Sequence, residues 1–372
     1  MNILIGGDFF ISDSLNEQPL IDRSIEELFY SANYRIVNLE APLTANNPKN
    51  RIIKTGPHLC GTAETILPYL KKLQVDLVTL ANNHIYDYGD TGLEDTLQTC
   101  QKHNITTVGA GLTLKQARAT SYREINGRTL AVVNFAENEW CNANDERGGA
   151  NPYDLIDNSR QIQEARGNAD IVLVIIHGGH ELYHYPSPRM VKHYRYFAEQ
   201  GATAVIGHHT HCIGGYEVYK NVPIFYSLGN LLFNSTTPFP GWYQGFLLDL
   251  KIDSNDQPAW ELIPYSQTKP KQGIWTLDEV ENQGVFQRIN EINKVIACPA
   301  QLMAEWQSFT GSKHQFYLNS VAVPWIFLRR FLGKLRLSDR FYSKKHLNSV
   351  HNLVRCEAHR DVLLTSLENH KK

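Results

Sequence analysis

Residues 171–181 read IVLVIIHGGHE, a run of six apolar, mostly β-branched residues that ends in His177 and two glycines. Such a run is typical of a strand buried on both faces, as in the parallel sheet of an α/β protein. Similar apolar runs recur along the chain, and segments with helical spacing lie between several of them. This alternation predicts an α/β layered domain with largely parallel central strands.

The individual elements follow from the same pattern. Strands are predicted at residues 3–7, 35–39, 76–80, 130–134, 171–176, 203–206 and 224–227, and helices at residues 22–30, 62–73, 91–103 and 188–200. The third helix is expected to start at Thr91, with Glu94 completing a capping box. Between residues 244 and 265 apolar and polar residues alternate with a period of two, which predicts an antiparallel hairpin and hence a mixed sheet.

Length and composition set the broad class. The 372 residues exceed one typical domain, so we expect a main domain at residues 1–270 and a mostly helical, basic C-terminal extension at residues 271–372. The formal net charge of -2 gives no reason to expect a nucleic-acid partner. Six scattered cysteines without a CxxC pair suit reduced thiols. With no signal-peptide pattern and no long apolar run, the sequence predicts a cytoplasmic location.

Polar side chains that could bind a metal ion or transfer a proton cluster where the predicted strands end. They are Asp8, Glu40, Asn82, Asn83, His84, His177, His208, His209, His211, Ser227 and Asn230. Each one alone is typical of a turn or cap, but the carboxyl ends of strands in α/β sheets form a common ligand crevice. Carboxylate, amide and imidazole donors without thiolate suit a divalent ion such as Mn, Fe or Zn, or Mg where oxygens dominate. The sequence therefore predicts one site at this edge.

Ordered motifs over residues 2–252 make a family resemblance specific. They are Gly7-Asp8, NLEAPL at 38–43, ANNHIYDYGDTGLEDT at 81–96, VGAG at 108–111, HGGHE at 177–181, GHHTH at 207–211 and YSLGNLLF at 226–233. In these motifs the chain resembles the bacterial capsule-synthesis family named for CapA, or PgsA in poly-γ-glutamate producers. That family is related to calcineurin-like metallophosphoesterases. The kinship implies a four-layer αββα sandwich of the metallophosphatase type.

The resemblance also implies roles for individual residues. Metal ligands would be Asp8, Glu40, Asn83, His177, His209 and His211, holding one or two divalent ions, with Glu40 at the bridging position and Asn82, His208, Ser227 and Asn230 toward the substrate. His84 would donate a proton or stabilise the transition state. Glu181 would act as a general base or bind an amine; a helix N-cap is the alternative. The usual Asp-x-His of the first strand is Asp8-Phe9-Phe10 here, which leaves a complete two-ion centre open.

Two functions are expected from this reading. The first is a metal-dependent hydrolase of capsule or poly-γ-glutamate metabolism, acting on an acidic polymer or a phosphorylated small-molecule precursor. The second is a non-catalytic protein that binds the polymer or assembles with capsule synthesis and export proteins. The missing histidine beside Asp8 favours the second.

The extension contains one further feature. Residues 325–345 read WIFLRRFLGKLRLSDRFYSKK, with seven Lys or Arg and one Asp between Arg329 and Lys345. Two interpretations stay open: a basic amphipathic helix in peripheral contact with an anionic membrane, or a helix that packs on the sandwich with a solvated basic face.

Overall fold

The computed structural model describes residues 1–13, 19–54, 56–253, 258–322 and 326–335, together with residues 343, 347, 350, 351 and 354. Its strands are β1 (Asn2–Phe10), β2 (Leu20–Ile21), β3 (Tyr34–Leu39), β4 (Leu77–Thr79), β5 (Thr106–Val108), β6 (Ala110–Gly111), β7 (Ser121–Ile125), β8 (Arg128–Ala136), β9 (Gly149–Ala150), β10 (Ile171–His177), β11 (Ala204–His208), β12 (Tyr216–Tyr219), β13 (Val222–Phe225), β14 (Asn230–Phe233), β15 (Gln244–Ile252), β16 (Pro258–Gln267) and β17 (Gly273–Thr276). Its helices are α1 (Arg23–Ser31), α2 (Ala63–Lys72), α3 (Gly89–Lys102), α4 (Leu114–Ala117), α5 (Leu155–Asn168), α6 (Pro188–Glu199), α7 (Glu279–Ala297), α8 (Pro299–Ala322) and α9 (Ile326–Leu335).

Two large mixed sheets form the centre of the fold. The first has the order β2-β17-β16-β15-β1-β3-β4-β5, and β14 also pairs with β1. The second has the order β12-β13-β11-β10-β8-β7. In the first, β1, β3, β4 and β5 are parallel, and in the second β8, β10, β11 and β13 are parallel. Antiparallel strands, including the predicted β15–β16 hairpin, complete both sheets.

The layers follow from the alternation of side chains along β1. Ile3 and Ile5 belong to an apolar cluster that includes strands of both sheets, whereas Leu4 belongs to a second cluster with α1, α2 and α3. Because successive residues of a strand point to opposite faces, one face of the first sheet packs on the second sheet and the other on helices. Ile162 of α5 and Phe197 of α6 cover the outer face of the second sheet. The predicted four-layer αββα sandwich is confirmed.

Local details differ from the sequence-based expectations at two places. The predicted capping box at Thr91 is wrong, because α3 already begins at Gly89 after Tyr88, which makes no side-chain cap. Asp8 was predicted to end β1 but lies inside it, since the strand continues to Phe10. The register of β1 shifts at this point, and parallel pairing with β14 extends the strand beyond Asp8.

The chain divides into two compact units, Met1–Met303 and Ala304–Lys372. Helix α7 starts with a capping box between Asp278 and Glu281 and buries Ile289 in the core of the first unit. The domain boundary at residue 270 stays a prediction, with β17 and α7 on its C-terminal side and within the first unit. Among the described residues, no helix combines the length and apolar character needed to cross a membrane.

Candidate metal centre

The two sheets bring polar side chains from their parallel strands to one edge of the sandwich. Asp8 lies in β1 and Glu40 directly follows β3, while β10 ends at His177 and β11 at His208. The parallel register places His177 beside His208, and Asp8 beside Asn38 of β3. All five side chains are buried. Residues far apart in sequence therefore meet in one buried polar site at this edge of the sandwich.

Glu40 is the most unusual group in this site. Its side chain is fully buried, and neither carboxylate oxygen accepts a hydrogen bond from a donor group among the described residues; the Asp8 carboxyl is close enough to share a hydrogen bond when one of the two is protonated. Oε1 lies 3.6 Å from Nε2 of both His177 and His211. Burial, followed by the charge of Asp8, raises the pKa of Glu40 well above its ordinary value. A buried carboxylate costs several kcal/mol unless a cation or donors compensate it. Glu40 thus marks a position that a cation would fit.

Within the described part of the chain, two groups of side chains have metal-ligand spacing, and Glu40 belongs to both. One ligand atom from each of Glu40, His177 and His209 lies within 4.8 Å of the others. The same limit holds for Asp8, Glu40 and His211. Carboxylate oxygen and imidazole nitrogen are common ligands of Zn, Mn and Fe. A carboxylate shared by two sets has the placement of a bridging ligand between two ions.

Asn83 extends the first ligand set. Nε2 of His177 lies 3.1 Å from Oδ1 of Asn83 and 3.1 Å from Nδ1 of His209, so Asn83 and His209 both place a possible ligand atom beside it. His209 has a φ of 95°, in the left-handed region that a residue with a side chain rarely adopts. Such local strain is concentrated at functional sites, and here it accompanies the approach of His209 to His177.

Hydrogen bonds orient the second ligand set. The Nδ1–H of His211 donates to Oδ1 of Asn230 at 2.8 Å, because an amide oxygen only accepts, so Nε2 keeps its lone pair and faces Glu40. Burial lowers the pKa of His211 to about 3, which keeps the imidazole neutral, the form that binds metals. Asp8 accepts the backbone N–H of His209 at 3.1 Å, and burial raises its pKa to about 6.

Phe10 stands at the position where the resemblance to metallophosphoesterases predicts another histidine ligand. Its ring centroid lies 4.9 Å from that of Phe233, in an apolar cluster that includes Trp242. Phe233 and Trp242 in turn contact His211, with ring centroids 4.9 and 4.8 Å away. Aromatic side chains therefore pack against the second ligand set at His211.

His84 is held beside the ligand sets by a buried charge pair. Its Nδ1 lies 2.7 Å from Oδ2 of Asp87, and a carboxylate accepts only, so Nδ1 carries the hydrogen. Asp87 also forms a short ion pair with Lys54; the side chains of Asp87 and Lys54 are 0% and 2% exposed. Burial lowers the pKa of His84, and the nearby Lys54 lowers it further. Nε2 of His84 is left as the nitrogen available to a ligand of the site.

Four further residues predicted to contact substrate are buried, and three of them form hydrogen bonds with protein groups. The Asn82 amide donates to the carbonyl of Leu39 at 2.8 Å, His208 Nδ1 lies 3.6 Å from Asp8 Oδ1, Ser227 Oγ accepts the N–H of Gly229 at 3.1 Å, and Asn230 accepts from His211. These hydrogen bonds give Asn82, Ser227 and Asn230 a part in holding the site together, whereas Nδ1 of His208 has no hydrogen-bond partner among the described residues. Their contact with substrate stays a prediction.

Two acidic residues lie at the mouth of the site. Glu181 is exposed, and the N-cap of α6 is Ser187, so Glu181 is not the helix cap that was its alternative interpretation. Glu139 lies with Oε1 3.9 Å from Nε2 of His209. After burial and the charge of Asp8, the negative charges of both residues contribute to raising the pKa of Glu40.

Sequence reasoning did not single out four residues of the site: Asn38, Lys54, Asp87 and Glu139. Asn38 donates to Oδ1 of Asp8 at 2.7 Å and lies 3.3 Å from Nδ1 of His177, so it links the two ligand sets. Asn38 and Asp87 lie inside the motifs at residues 38–43 and 81–96, and their positions there were the available signal. Lys54 and Glu139 lie outside those motifs.

Comparisons with known proteins agree with these motifs. The family described as bacterial capsule synthesis protein PGA_cap matches residues 3–235. The PGA biosynthesis protein CapA of Bacillus subtilis (strain 168) is 32% identical over 64% of this chain and 63% of its own length. The capsule biosynthesis protein CapA of Bacillus anthracis is 30% identical over 69% of this chain and 64% of its own length. The match thus spans less than two thirds of either relative.

Among solved structures, a hypothetical protein from Thermus thermophilus is similar with 16% identity and a TM-score of 0.44, over 72% of this chain and 99% of that one. These values assign no function. The family match covers more than half of the chain and includes the strands and loops that build the site. The chain belongs to the bacterial capsule synthesis protein (PGA_cap) family.

Proposed function

We propose that this protein is a metal-dependent hydrolase of capsule or poly-γ-glutamate metabolism, acting on an acidic polymer or a phosphorylated precursor. The observation that carries the proposal is Glu40, a fully buried carboxyl group that two ligand sets share and that accepts no hydrogen bond from a donor group among the described residues. Two divalent ions bridged by Glu40 would compensate its charge. The names of the two CapA relatives support the pathway. Mn, Fe and Zn suit the nitrogen-rich donors, and Mg suits them less.

The residues divide the chemistry between them. When bound, two divalent ions supply Lewis-acid stabilisation for an anionic group and a nucleophile at neutral pH. Asp8 and His211 hold one side of the centre and His177, His209 and Asn83 the other, with Glu40 between them.

His84 serves the leaving group in this proposal. Its ring is fixed through Nδ1 by Asp87, so Nε2 is directed to exchange a proton with the leaving group or to stabilise developing charge. Glu181, exposed at the mouth, can accept a proton from an approaching nucleophile or pair with an ammonium group of the substrate.

Phe10 favours a second candidate function. Because Phe10 and its apolar cluster occupy the position where the resemblance predicts a histidine, the Asp8–Glu40–His211 set lacks that expected ligand. A centre that holds its ions weakly would suit a non-catalytic member that binds the acidic polymer or assembles with capsule synthesis and export proteins.

Metal analysis followed by turnover separates the two candidates. The purified chain is incubated with Mn or Zn, freed of excess ion and analysed for bound metal. Turnover of an aryl phosphate and of a γ-glutamyl peptide is then compared between wild type and His84→Ala. The hydrolase proposal requires bound metal and a loss of roughly 100-fold or more in turnover for His84→Ala. A chain that binds metal and acidic polymer but turns over neither probe supports the non-catalytic candidate.

A separate part of the proposal concerns the membrane surface. Much of the segment at residues 325–345 lies outside the described residues, but α9 exposes Phe327, Phe331 and Leu335, which are spaced four residues apart, together with Lys334. An exposed apolar stripe within a basic segment fits an anionic lipid surface. We expect Phe331→Glu to reduce sedimentation with phosphatidylserine-containing vesicles, and Val280→Glu, an exposed control on α7, to leave it unchanged. Equal sedimentation of all three proteins would contradict membrane contact through α9. The cytoplasmic location stays a prediction.

A further inference from the structure

The loop between β3 and α2 sends one lysine into the interior beside the candidate metal centre. We call residues 46–54 of this loop the strap. Its Asn46 accepts hydrogen bonds from Tyr88 at 2.8 Å and from Arg51 at 2.7 Å, and the backbone N–H of Ile52 donates to the carbonyl of Asp87 at 3.1 Å. The strap is therefore fastened to the segment that follows Asn83 and His84.

At the end of the strap, two consecutive side chains differ strongly in exposure. Ile53 is 99% exposed, whereas the side chain of the next residue, Lys54, is 2% exposed. A lysine is almost never buried unless it is paired, so the burial of Lys54 requires a compensating anion. An apolar side chain left in water beside a buried ammonium indicates that the position of Lys54 is specific.

Among the described residues, the ammonium of Lys54 lies near three polar groups, all in the segment that carries Asn83 and His84. Its ammonium forms a short ion pair with Oδ1 of Asp87 and donates to the backbone carbonyl of Asn83 at 3.4 Å. It also lies 3.2 Å from Nδ1 of His84. Because Nδ1 already carries a hydrogen toward Asp87, the ammonium does not bond this nitrogen, and Asp87 mediates its effect on the ring.

Asp87 uses both of its oxygens for donors. Oδ2 accepts from Nδ1 of His84 and from the backbone N–H of Leu59, each at 2.7 Å. Oδ1 faces the ammonium of Lys54 and, at 3.6 Å, the thiol of Cys141. Asp87 belongs to neither ligand set. The carboxylate is thus divided: one oxygen orients His84, and the other is held by Lys54.

We propose that Lys54 is a positioning residue of the centre, which holds Asp87 so that His84 keeps its hydrogen on Nδ1 and presents Nε2 to the site. The kinetic consequence rests on the proposed hydrolase function, but the orientation of His84 does not. Loss of the ammonium leaves a buried carboxylate without its cation, and the arrangement that fixes the ring is then lost. Supporting groups of this kind are typically worth roughly 10–100-fold in activity.

The experiment compares Lys54→Met with Lys49→Met, the same substitution at an exposed lysine of the strap. The ¹⁵N signals of the His84 ring are recorded on the metal-free and the Zn-loaded full chain at pH 7.5, and His84→Gln assigns them. In the wild type and K49M, the His84 ring is expected to show a single form with its hydrogen on Nδ1. In K54M this single form is expected to be lost. K54M should also lower kcat for an aryl phosphate roughly 10–100-fold with KM within about two-fold.

A second variant separates positioning from a general loss of fold. Lys54→Met combined with Asp87→Asn removes both charges and keeps an amide oxygen for Nδ1 of His84 and the N–H of Leu59. This double variant is expected to regain the Nδ1 form and part of kcat. The proposal is overturned if K54M matches K49M in the spectrum, or if the double variant folds but does not regain the Nδ1 form. A wild type without turnover would refute the hydrolase function alone, because the spectra still decide the role of Lys54.

Discussion

Replacing Asp8 by asparagine removes the charge of this residue but keeps its size, and so tests what the buried charge costs. Asp8 is fully buried, and burial raises its pKa from 3.8 to about 6. For an acid whose folded-state pKa is raised, the stabilisation present below the unfolded pKa is lost as pH rises through the folded pKa. A pKa difference of this size is equivalent to about 3 kcal/mol, of which about 2 kcal/mol falls between pH 4.5 and pH 7.5. Asp8→Asn does not titrate and escapes this loss.

The substitution also has a pH-independent cost. Asp8 accepts from Asn38 with one oxygen and from the N–H of His209 with the other, and an asparagine can satisfy only one of the two donors. That cost, about 1–3 kcal/mol, is the same at both pH values and cancels in the difference between them. Urea unfolding of the chelator-treated chain should therefore show Asp8→Asn gaining about 2 kcal/mol on wild type between pH 4.5 and pH 7.5.

The control is Asp145→Asn at an exposed position, whose free energy of unfolding relative to wild type should change by less than about 0.5 kcal/mol between the two pH values. Saturating Mn or Zn should offset this gain at pH 7.5, because wild type then gains the binding free energy of an ion that Asp8 helps to hold. If Asp8→Asn in the metal-free chain loses the same amount at both pH values, the buried charge is compensated by something other than a metal, and the reasoning is refuted.

Two further predictions concern the support of the site and its mouth. A Cβ on Gly7 would lie 1.9 Å from the carbonyl oxygen of Gly229, so Gly7→Ala should destabilise the chain by about 3 kcal/mol or more in urea unfolding. The control is Gly167→Ala in α5, where a Cβ meets nothing within 4 Å, and this substitution should be neutral or stabilising. Equal effects of the two substitutions would contradict the close approach of β14 to β1. Glu181→Gln should lower kcat roughly 100-fold without changing the amount of bound metal. The exposed control Glu64→Gln should change neither kcat nor bound metal. An unchanged kcat in Glu181→Gln would exclude Glu181 from the mechanism.

Much of the fold was predictable because buried parallel strands leave a strong signal in sequence. The run at residues 171–176 is apolar throughout since β10 is covered by the other sheet on one face and by helices on the other. The hairpin β15–β16 was visible in its alternation. Short strands were missed: β17 has four residues and β2 two, and both depend on pairing with a distant partner rather than on local pattern.

The candidate site was predictable in its ligands but not in its supports. Strand ends and motifs identified Asp8, Glu40 and the histidines, because those residue types stand out against apolar surroundings. Lys54 gave no such signal, since a lysine in a polar loop is typical of a solvated surface and only the fold shows it paired with Asp87. The sharing of Glu40 between two ligand sets also depends on how the two sheets pack together, which no local sequence pattern encodes.

Metal stoichiometry of wild type and Glu40→Gln is the most direct test of the central claim, that Glu40 bridges two ions. The full chain is treated with chelator, titrated with Mn at pH 7.5, and analysed for bound metal, with Mn–Mn coupling followed by electron paramagnetic resonance. We expect about two ions per chain with a coupled signal in wild type, and loss of the coupled pair in Glu40→Gln, because both ligand sets lose their shared carboxylate. A wild type that binds no Mn or Zn, or a Glu40→Gln variant that keeps the coupled pair, would contradict the account.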